Sequence, residues 1–270
     1  VISYFQGSVF ASSGLPTGAE LKLLEPHRDQ LPDRLFSQEF ELPKGTGYGK
    51  DRRALIRARE LLTEAGWHIN RGRLVNTEGK PLEFEIMNYN SAFQRVLLPY
   101  TETLKRLGIK GNIRLMDSAQ FIRRRRARDF EALIWPHDLL APPTTHLRSY
   151  FHSWAANRGM MTYNITNIRH PTIDSLVESA ERATSLTELT AATRAIDRVL
   201  QWNYYNILLN GVDKQRFLHW DKFGRPKRED LAVYGWPFVE GWWFDNDKAS
   251  RLPTIDDSEN ATSAPQDQAG

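Results

Sequence analysis

Side chains able to bind or transform a ligand concentrate between residues 136 and 167, a segment rich in histidine, proline, asparagine and aromatic residues. Irregular segments that follow strand ends carry binding and catalytic residues more often than the elements they join. Imidazole and carboxylate groups are common zinc and iron ligands. Four such side chains lie in this segment: His137, Asp138, His146 and His152. Their spacing matches no compact ligand motif, so we expect neither a metal site nor any other cofactor.

Covalent catalysis finds little support in the residue types. The chain has no cysteine, which excludes a thiolate nucleophile, a thiolate metal site and a disulfide. No serine lies in the Gly-x-Ser-x-Gly turn that exposes the nucleophile of many hydrolases. We therefore predict no catalytic residue and a protein that is not an enzyme. A metal-dependent hydrolase built on the loop histidines remains an alternative that would require stoichiometric metal.

The strongest charge run is Arg123–Arg128, in which only residue 127 is not arginine. Clustered arginine can bind nucleic acid or anionic lipid through phosphate groups. On a helix, however, only Arg124, Arg125 and Arg128 share a face, Phe121 anchors the other, and no interleaved aromatic residues offer bases a stacking surface. We expect a solvated helix face and no nucleic acid partner. An anion- or RNA-binding accessory domain that uses this run is the alternative function.

The most regular stretch of the chain, Leu82 to Trp135, must position the segment that follows it. Its apolar residues alternate with a period of two in some parts and recur at threes and fours in others. The predicted order is βαβαβ: strand Leu82–Met87, helix Ser91–Leu107, strand Ile109–Met116, helix Ser118–Arg128 and strand Phe130–Trp135. Strands joined through helices are usually parallel, and ligands bind at the carboxyl edge of such sheets. We expect Trp135 at that edge.

The first of these helices carries six apolar residues at helical spacing, all expected to face the sheet: Phe93, Val96, Leu97, Tyr100, Leu104 and Leu107. Pro99 removes one amide donor in mid-helix, which predicts a kink or a later start of the regular part. Gly108 stands where a left-handed cap would end the helix.

Further elements flank this unit. They are a helix capped by Asp51, a β-hairpin between Arg73–Asn76 and Leu82–Met87, helices over Pro171–Ala183 and Leu186–Trp202, and short strands over Asn206–Asn210 and Arg216–Trp220. The predicted division is an extended segment over residues 1–50, an α/β lobe over residues 51–212, a returning segment over residues 213–245 and a disordered tail over residues 246–270. The tail is assigned as disordered because it lacks apolar anchors.

Composition limits which classes of protein the chain can belong to. With 40% hydrophobic and 11% aromatic residues among 270, the chain has ample material for a core. A net charge of +3 makes no general case for nucleic acid, and no apolar run approaches the ~20 residues that cross a bilayer. The apolar, strand-like start at Val1–Phe5 has neither initiator methionine nor leader. We expect the chain to be cut from a longer one, with its signal peptide outside it.

Several strings of residues, taken together, resemble a known family. They are Phe10–Pro16 (FASSGLP), Glu20–Pro32, Asp51–Trp67, Gly79–Leu82, Leu104–Ile109 (LKRLGI) and Trp220–Pro226 (WDKFGRP). In this order and spacing they resemble extracellular solute-binding protein family 5, the periplasmic oligopeptide- and dipeptide-binding components of ABC importers. The similarity runs from about Phe10 to Phe244. Members of that family are longer, so the chain resembles their carboxyl-terminal half only.

The resemblance implies a fold, a function and a set of partners. The fold is α/β, a periplasmic-binding-protein type II lobe with crossover segments that belong to a first lobe absent from this chain. The function is capture of oligopeptides or peptide-like solutes between two lobes and delivery to a membrane permease. The implied partners are the ligand, the permease subunits and the missing amino-terminal lobe. The implied location is the periplasm of a Gram-negative bacterium.

The resemblance also assigns ligand-binding residues after the third strand. Related peptide binders place there an aromatic wall and an aspartate that receives the peptide's ammonium group, which corresponds to Trp135, His137 and Asp138 in this chain. A carboxylate in a cleft gains about 1.5–3 kcal/mol from such a hydrogen bond. The alternative role for Asp138 is a helix cap or a loop hydrogen bond.

Three more ligand-binding residues are expected further on. A short helix over Thr144–Phe151 offers free amides to a carboxylate or phosphate, with His146 or Arg148 assisting; a solvated arginine is the alternative. Asn164 fits the asparagine of an Asn-Tyr-x-Gly-Ile string in the family, although the residues after it depart from that string. Its amide would pair with a peptide backbone or, alternatively, close its own loop.

Overall fold

The fold combines a three-stranded parallel sheet with helices. The computed structural model describes residues 3–43, 51–136, 143, 146–158, 163–209, 218–225 and 241–252. In chain order the elements are α1 (Gly18–Leu24), a 3-10 helix (Glu25–Gln30), α2 (Arg34–Ser37), α3 (Arg52–Glu64), β1 (His68–Asn70), β2 (Arg73–Val75), β3 (Glu83–Asn88), a 3-10 turn (Ser91–Phe93), α4 (Gln94–Lys105), β4 (Lys110–Leu115), α5 (Ser118–Ala127), β5 (Ala132–Leu133), α6 (His146–Phe151), α7 (Ser153–Ala156), α8 (Pro171–Glu181), α9 (Leu186–Trp202), β6 (Phe223–Gly224), β7 (Trp243–Phe244) and α10 (Asn246–Ala249).

Two units divide the chain. The first comprises Val1–Leu139 and Pro143–Gly211, and the second comprises Leu140–Pro142 and Val212–Gly270. The sheet and helices α1 to α9 belong to the first unit, whereas β6, β7 and α10 belong to the second.

The sheet has the strand order β4-β3-β5, with both outer strands parallel to β3. Ile86 on β3 lies opposite Ile113 on β4 and Ala132 on β5. Because α4 connects β3 to β4 and α5 connects β4 to β5, the predicted βαβαβ order is confirmed. Strand β5 is shorter than predicted. The Glu131 carboxylate accepts the hydrogen bond from the Glu85 amide (2.7 Å), taking the place of a further backbone rung.

Helix α4 begins three residues later than predicted, after the 3-10 turn, and contains Pro99. Its buried face also differs from the predicted one. Val96 is 42% exposed and Tyr100 is 38% exposed, whereas Thr101 is buried. Gly111 on β4 explains the difference, since a Cβ there would lie 3.0 Å from the Thr101 Cγ2. The missing side chain leaves room for the threonine against the sheet.

The predicted hairpin between Arg73–Asn76 and Leu82–Met87 is wrong. Strand β2 pairs antiparallel with β1 instead, across a turn at Arg71 and Gly72 whose φ angles are +48° and +79°. Positive φ at both central residues is the geometry that suits a two-residue hairpin. The predicted pairing is reduced to a bridge between Val75 and Pro81, because both sides of β3 are taken by β4 and β5.

Helices α8 and α9 supply most of the remaining core. The predicted bounds of α9 are confirmed, and α8 ends two residues before its predicted end. Ser185 Oγ accepts a hydrogen bond from the Glu188 amide (3.2 Å), and the Glu188 carboxylate accepts one from the Thr184 amide (2.8 Å). This reciprocal arrangement resembles a capping box. The apolar residues that the two helices bury include Ile173, Leu176, Val177, Ala180, Ala192, Ile196 and Val199.

The described part of residues 1–50 is not extended, so that prediction is wrong for it. Helices α1 and α2 pack on α9, and Leu24 and Leu35 are fully buried. Helices this short show too few turns for an apolar period to emerge. Gly18 and Pro26 stand at the beginnings of helices. Ser3 to Phe5 likewise lie in a turn rather than a strand.

In the second unit, β6 and β7 form an antiparallel pair and α10 follows. Lys248 on α10 binds the Asp221 carboxylate at 2.9 Å and the Phe223 carbonyl at 3.2 Å. Residues 246–252 are therefore ordered around a short helix, contrary to the predicted disorder, while residues 253–270 lie outside the described part. The strand predicted at Asn206–Asn210 is absent from described residues 206–209.

Across the described ranges, no helix combines the length and the apolar character that a membrane crossing requires.

Candidate functional site

An aromatic cluster covers the carboxyl edge of the sheet. Trp135 stacks against the fully buried Phe121, with ring centroids 5.8 Å apart and an interplanar angle of 17°. Tyr89 lies 4.7 Å from Phe121 and 6.1 Å from Trp135. Tyr89 and Trp135 pack against the buried cluster of Met87, Met116 and Phe121. Because Tyr89 and Trp135 remain partly exposed, the cluster presents aromatic surface at the edge where parallel sheets bind ligands.

Local hydrogen bonds fix the backbone beneath these rings. The buried Asn88, at the end of β3, accepts from the Asn90 amide (3.0 Å) and donates to the Asn90 carbonyl (2.9 Å). Tyr89 is held between these two residues. Asp117 caps α5 by accepting from the Gln120 amide (2.9 Å). The cluster is therefore carried by two constrained strand ends.

Arg125 lies over the face of Trp135, with its guanidinium carbon 4.2 Å from the ring centroid. Such a contact contributes about 0.5–2 kcal/mol. The Nε atom is buried and has no hydrogen-bond partner among the described residues. Burial lowers the pKa of Arg125, and the neighbouring charge of Arg126 lowers it further. Within the described ranges, Arg125 is thus a partly buried cation without a carboxylate partner.

Two tyrosines extend this surface. Tyr150 on α6 stacks on Tyr163, with centroids 5.1 Å apart and an interplanar angle of 23°. Tyr163 is 58% exposed. Both tyrosines lie near Arg125 and partly oppose the lowering of its pKa. We call the surface formed by Tyr89, Arg125, Trp135, Tyr150 and Tyr163 the aromatic edge.

The other arginines on the predicted charged face bind within the protein. Arg124 pairs with the Glu85 carboxylate at 2.7 Å and the Asp129 carboxylate at 2.9 Å. Arg128 donates to the Ala156 carbonyl at 2.8 Å. The predicted solvated face is therefore wrong for these two residues, because Glu85 and the Ala156 carbonyl, both distant in sequence, accept from them. The RNA-binding alternative loses two of the three arginines that shared its face.

His137 and Asp138 lie outside the described residues, as do Thr144 and Thr145 at the start of the predicted short helix. The ligand-binding roles of His137 and Asp138 therefore stay predictions. Trp135 is the last residue but one before this gap and lies at the predicted edge of the sheet.

The two predicted residues on α6 differ in their surroundings. Arg148 forms a two-point ion pair with Glu181 on α8, at 2.7 and 2.6 Å. This pair raises the pKa of Arg148 and lowers that of Glu181. His146 has a buried Nδ1 without a hydrogen-bond partner in the described part of the chain. The geometry thus gives Arg148 a local partner, and a ligand contact by either residue stays a prediction.

Asn164 is fully buried and its amide bonds to neighbouring backbone. Its Nδ2 donates to the carbonyls of His152 (3.2 Å) and Ile168 (3.0 Å), and its Oδ1 accepts from the Ile168 amide (2.8 Å). These contacts match the alternative in which Asn164 closes its own loop. A direct contact with a peptide backbone is still only predicted.

His152 and Asp174 hold the first turn of α7. His152 Nδ1 accepts from the Trp154 amide (2.9 Å), and the Asp174 carboxylate accepts from the Ser153 amide (2.8 Å). No group of three or more potential metal-binding side chains comes together in the part of the chain that the structure describes.

Sequence reasoning missed four members of the aromatic edge: Tyr89, Arg125, Tyr150 and Tyr163. Tyr89 could have been predicted, since this residue follows a predicted strand just as Trp135 does. Arg125 stands one helical turn after Phe121, which places it beside whatever ring packs on that phenylalanine. Tyr150 and Tyr163 come from a distant part of the chain. No local sequence pattern indicates that they lie at this edge of the sheet.

Comparisons with known proteins agree with this architecture. The family described as bacterial extracellular solute-binding proteins, family 5 (middle segment), matches residues 34–158. The uncharacterized protein YejA of Escherichia coli K12 is 36% identical over 254 residues, which are 93% of this chain and 41% of that protein. The chain belongs to family 5 of the bacterial extracellular solute-binding proteins.

A second relative has a name that states a function. The probable peptide-binding protein YejA of Agrobacterium fabrum is 36% identical over 244 residues, covering 90% of this chain and 39% of that protein. The chain therefore spans about two fifths of the length of these relatives.

The fold is that of type II periplasmic binding proteins. The crystal structure of NikZ from Campylobacter jejuni in complex with Ni(L-His) matches with a TM-score of 0.51 at 16% identity, over 74% of this chain and 40% of that one. At this level of identity the match supports the fold alone.

Proposed function

We propose that this chain forms one wall of the solute site in the binding component of an ABC importer, and that the solute is an oligopeptide or a peptide-like compound. Family membership and the relative named as peptide-binding support the class of protein. The aromatic edge is the observation that supports an oligopeptide or a peptide-like compound as the ligand. Partly exposed rings beside a cation suit a ligand that offers both apolar side chains and charged groups.

Capture by this protein requires a second wall. Binding proteins with two lobes close around their ligand by a hinge motion. We assign the opposing wall to a first lobe outside this chain, and the receipt of the ligand to permease subunits in the membrane. The proposed location is the periplasm.

Within the site, the proposed roles follow the chemistry of each side chain. Trp135 contacts apolar groups and excludes water, which strengthens polar contacts nearby. Asp138 receives the ligand's ammonium group through a charge-assisted hydrogen bond. His137 and His146 bond to polar groups of the ligand, since a neutral imidazole both donates and accepts.

Arg148 and Asn164 act indirectly in this proposal. Glu181 occupies the guanidinium of Arg148, and backbone groups occupy the amide of Asn164. The two residues would keep α6 and the segment around Asn164 in place beside the aromatic edge.

Calorimetry on the full-length protein tests the proposal. We expect heat of binding with pools of short mixed-sequence peptides. Asp138→Ala should weaken binding by about tenfold or more, given ~1.5–3 kcal/mol for a hydrogen bond to a charged group. Trp135→Ala should also weaken binding, whereas Tyr100→Ala, which removes an exposed ring outside the aromatic edge, should not. Absence of both heat and thermal stabilisation with every pool would contradict peptide binding.

A further inference from the structure

We propose that His170 makes the start of α8 sensitive to acid: when its imidazole takes up a proton, the helix loses its cap and solute binding weakens. The first half of this inference concerns the fold alone. The second half, the link to solute binding, rests on the proposed function. His170 itself has no part in the ligand contacts assigned above.

The cap depends on the protonation state of one ring nitrogen. His170 precedes α8, and its Nδ1 accepts a hydrogen bond from the Thr172 amide (3.2 Å). Pro171 has no amide hydrogen, so Thr172 carries the first N–H group of the helix. A neutral imidazole can accept through Nδ1, whereas both nitrogens of the charged ring are donors. Proton uptake therefore removes the cap and places a cation at a helix amino terminus, where the helix dipole opposes it.

The capped amide lies in the interior of the protein. Thr172 and Ile173 are fully buried. A buried amide that loses its acceptor costs more than an exposed one, since water does not replace the partner. The Thr172 hydroxyl also donates to the side-chain oxygen of Gln30 (3.2 Å), in the 3-10 helix near the amino end of the chain. The cap thus holds the residue that joins α8 to that 3-10 helix.

Two charged groups act on His170. They are Asp174, one turn into α8, and His27, from the same 3-10 helix as Gln30. Burial lowers the pKa of His170, the Asp174 carboxylate opposes this shift, and the charge of His27 adds to it. Because the folded pKa lies below the unfolded value of about 6.5, His170 contributes stability that is present above that value and lost as pH falls.

Asp174 connects this cap to a second histidine cap. Its carboxylate accepts from the Ser153 amide (2.8 Å) and lies 3.6 Å from His152 Nδ1. The same Nδ1 accepts from the Trp154 amide (2.9 Å) at the start of α7. The first turn of α8 therefore positions α7 through Asp174, and loosening one loosens the other.

Helix α6 brings this corner of the fold to the solute site. It packs on α8, to which the ion pair of Arg148 with Glu181 also joins it, and it carries Tyr150 of the aromatic edge. His152 Nε2 lies 3.5 Å from the Arg148 guanidinium and 3.7 Å from the Glu178 carboxylate. A weakened start of α8 therefore reaches the wall of the site through α6.

Hydrogen exchange and calorimetry on the full-length protein test both halves of the inference. Exchange read by mass spectrometry gives the protection of the first turn of α8, corrected for the intrinsic rate at each pH. We expect protection to fall by about 3- to 30-fold from about pH 7.5 to pH 5, the range in which histidine titrates. Affinity for pools of short mixed-sequence peptides should fall over the same range.

Substitutions assign the effect to the cap. His170→Asn supplies a strong capping acceptor that does not titrate, so protection should stay high at every pH. His27→Gln removes a charge that opposes proton uptake, and should move the loss of protection to higher pH. His68→Gln removes an exposed imidazole on β1 and should leave the profile unchanged.

The outcomes separate the two halves and the proposed function. Constant protection in the wild type, or the same fall in His170→Asn, overturns the acid-sensitive cap. A fall in protection with unchanged peptide affinity overturns the link to solute binding. If no peptide binds at any pH, the proposed function fails, while the exchange profiles still decide whether the cap responds to acid.

Discussion

The two halves of the first unit treat buried charge in opposite ways. On α9, Asp197 and Arg198 hold the amino-terminal segment through a network that we call the polar seam, formed by Ser3, Ser12, Glu20, Asp197 and Arg198. Every charge of the seam has partners. At the aromatic edge, Arg125 stacks on Trp135 and has no carboxylate partner among the described residues. Carboxylates and hydrogen-bond donors match the charges of the seam, whereas an aromatic ring holds the cation at the edge.

The seam shows how thoroughly a buried charge can be matched. Arg198 is 1% exposed and binds the Glu20 carboxylate (2.7 Å), the Gly14 carbonyl (2.7 Å) and the Ser13 carbonyl (3.2 Å). These contacts join residues more than 170 positions apart in the chain. They fasten α1 and the residues just before it to the carboxyl-terminal part of α9.

Asp197 is matched by donors rather than by a cation. Its carboxylate accepts from the Ser3 hydroxyl (2.8 Å), the Tyr4 amide (2.9 Å), and the amide and hydroxyl of Ser12 (both 2.8 Å). Burial raises the pKa of Asp197, while the hydrogen bonds from Ser12, Ser3 and Tyr4 oppose that shift. Because burial is the larger effect, the folded chain holds this proton more tightly than an unfolded one does.

The largest expected effect comes from breaking the seam at Arg198. Arg198→Ala leaves the buried Glu20 carboxylate without its cation, and we expect a loss of about 3–5 kcal/mol in the free energy of unfolding. Urea denaturation of the full-length protein measures the loss. Arg194→Ala, one turn earlier on α9, removes a single hydrogen bond to the Val9 carbonyl and should cost only about 1 kcal/mol. Similar losses for the two variants would contradict the contrast between the seam and an ordinary contact.

The second prediction concerns pH. Asp197→Asn replaces one acceptor oxygen of the carboxylate with an NH₂ group, which faces a hydrogen-bond donor of the protein. We expect the free energy of unfolding to fall by about 2 kcal/mol. A folded-state pKa that is raised contributes stability fully present below the unfolded carboxyl pKa of about 3.9, and lost as pH rises through the folded value. The cost of the substitution should therefore be greatest at acid pH and shrink toward neutrality. Unfolding measured across this range checks the trend, and a cost that grows toward neutral pH would contradict it.

The aromatic edge should respond in the reverse manner, with a modest change in stability and a larger one in binding. Trp135→Ala removes a stacked pair with Phe121 and the ring beneath Arg125, for about 1–2 kcal/mol in unfolding. Trp154→Ala is the matched control, because that ring is 45% exposed and also lies under an arginine. We expect only the first variant to weaken peptide binding in calorimetry. If both variants weakened peptide binding equally, the proposed role of Trp135 in ligand contact would be contradicted.

The seam and the edge were not equally predictable from sequence. The parallel sheet and α9 follow from apolar periods that extend over several turns or alternations, and local pattern carries them. The polar seam depends on side chains at opposite ends of the first unit, and nothing local marks Asp197 or Arg198 as buried. The short helices α1 and α2 gain their stability from packing on α9, which no propensity reveals.

The residues of the candidate site were also unequally predictable from the sequence. Trp135 was predictable because it follows a strand of a recognisable unit. The surroundings of Arg125 were not, because helical spacing placed it on one face with Arg124 and Arg128 without showing what each one touches. Glu85 lies on β3, and Trp135 follows β5. The three arginines therefore differ in the structure: Arg124 pairs with carboxylates, Arg128 binds the Ala156 carbonyl, and Arg125 stacks on Trp135.

The smallest expected effect sharpens that last distinction. Arg124→Gln breaks a part-buried ion pair with Glu85 and a pair with the exposed Asp129, and salt screens the exposed one. We expect a small decrease in stability that diminishes at high salt, measured by urea denaturation, and no change in the binding of mixed peptide pools. Arg125→Gln should do the opposite, with stability nearly kept and binding weakened, because it removes the cation stacked on Trp135. If Arg124→Gln weakened binding as much, the effect would belong to the charge of the whole helix rather than to the one arginine stacked on Trp135.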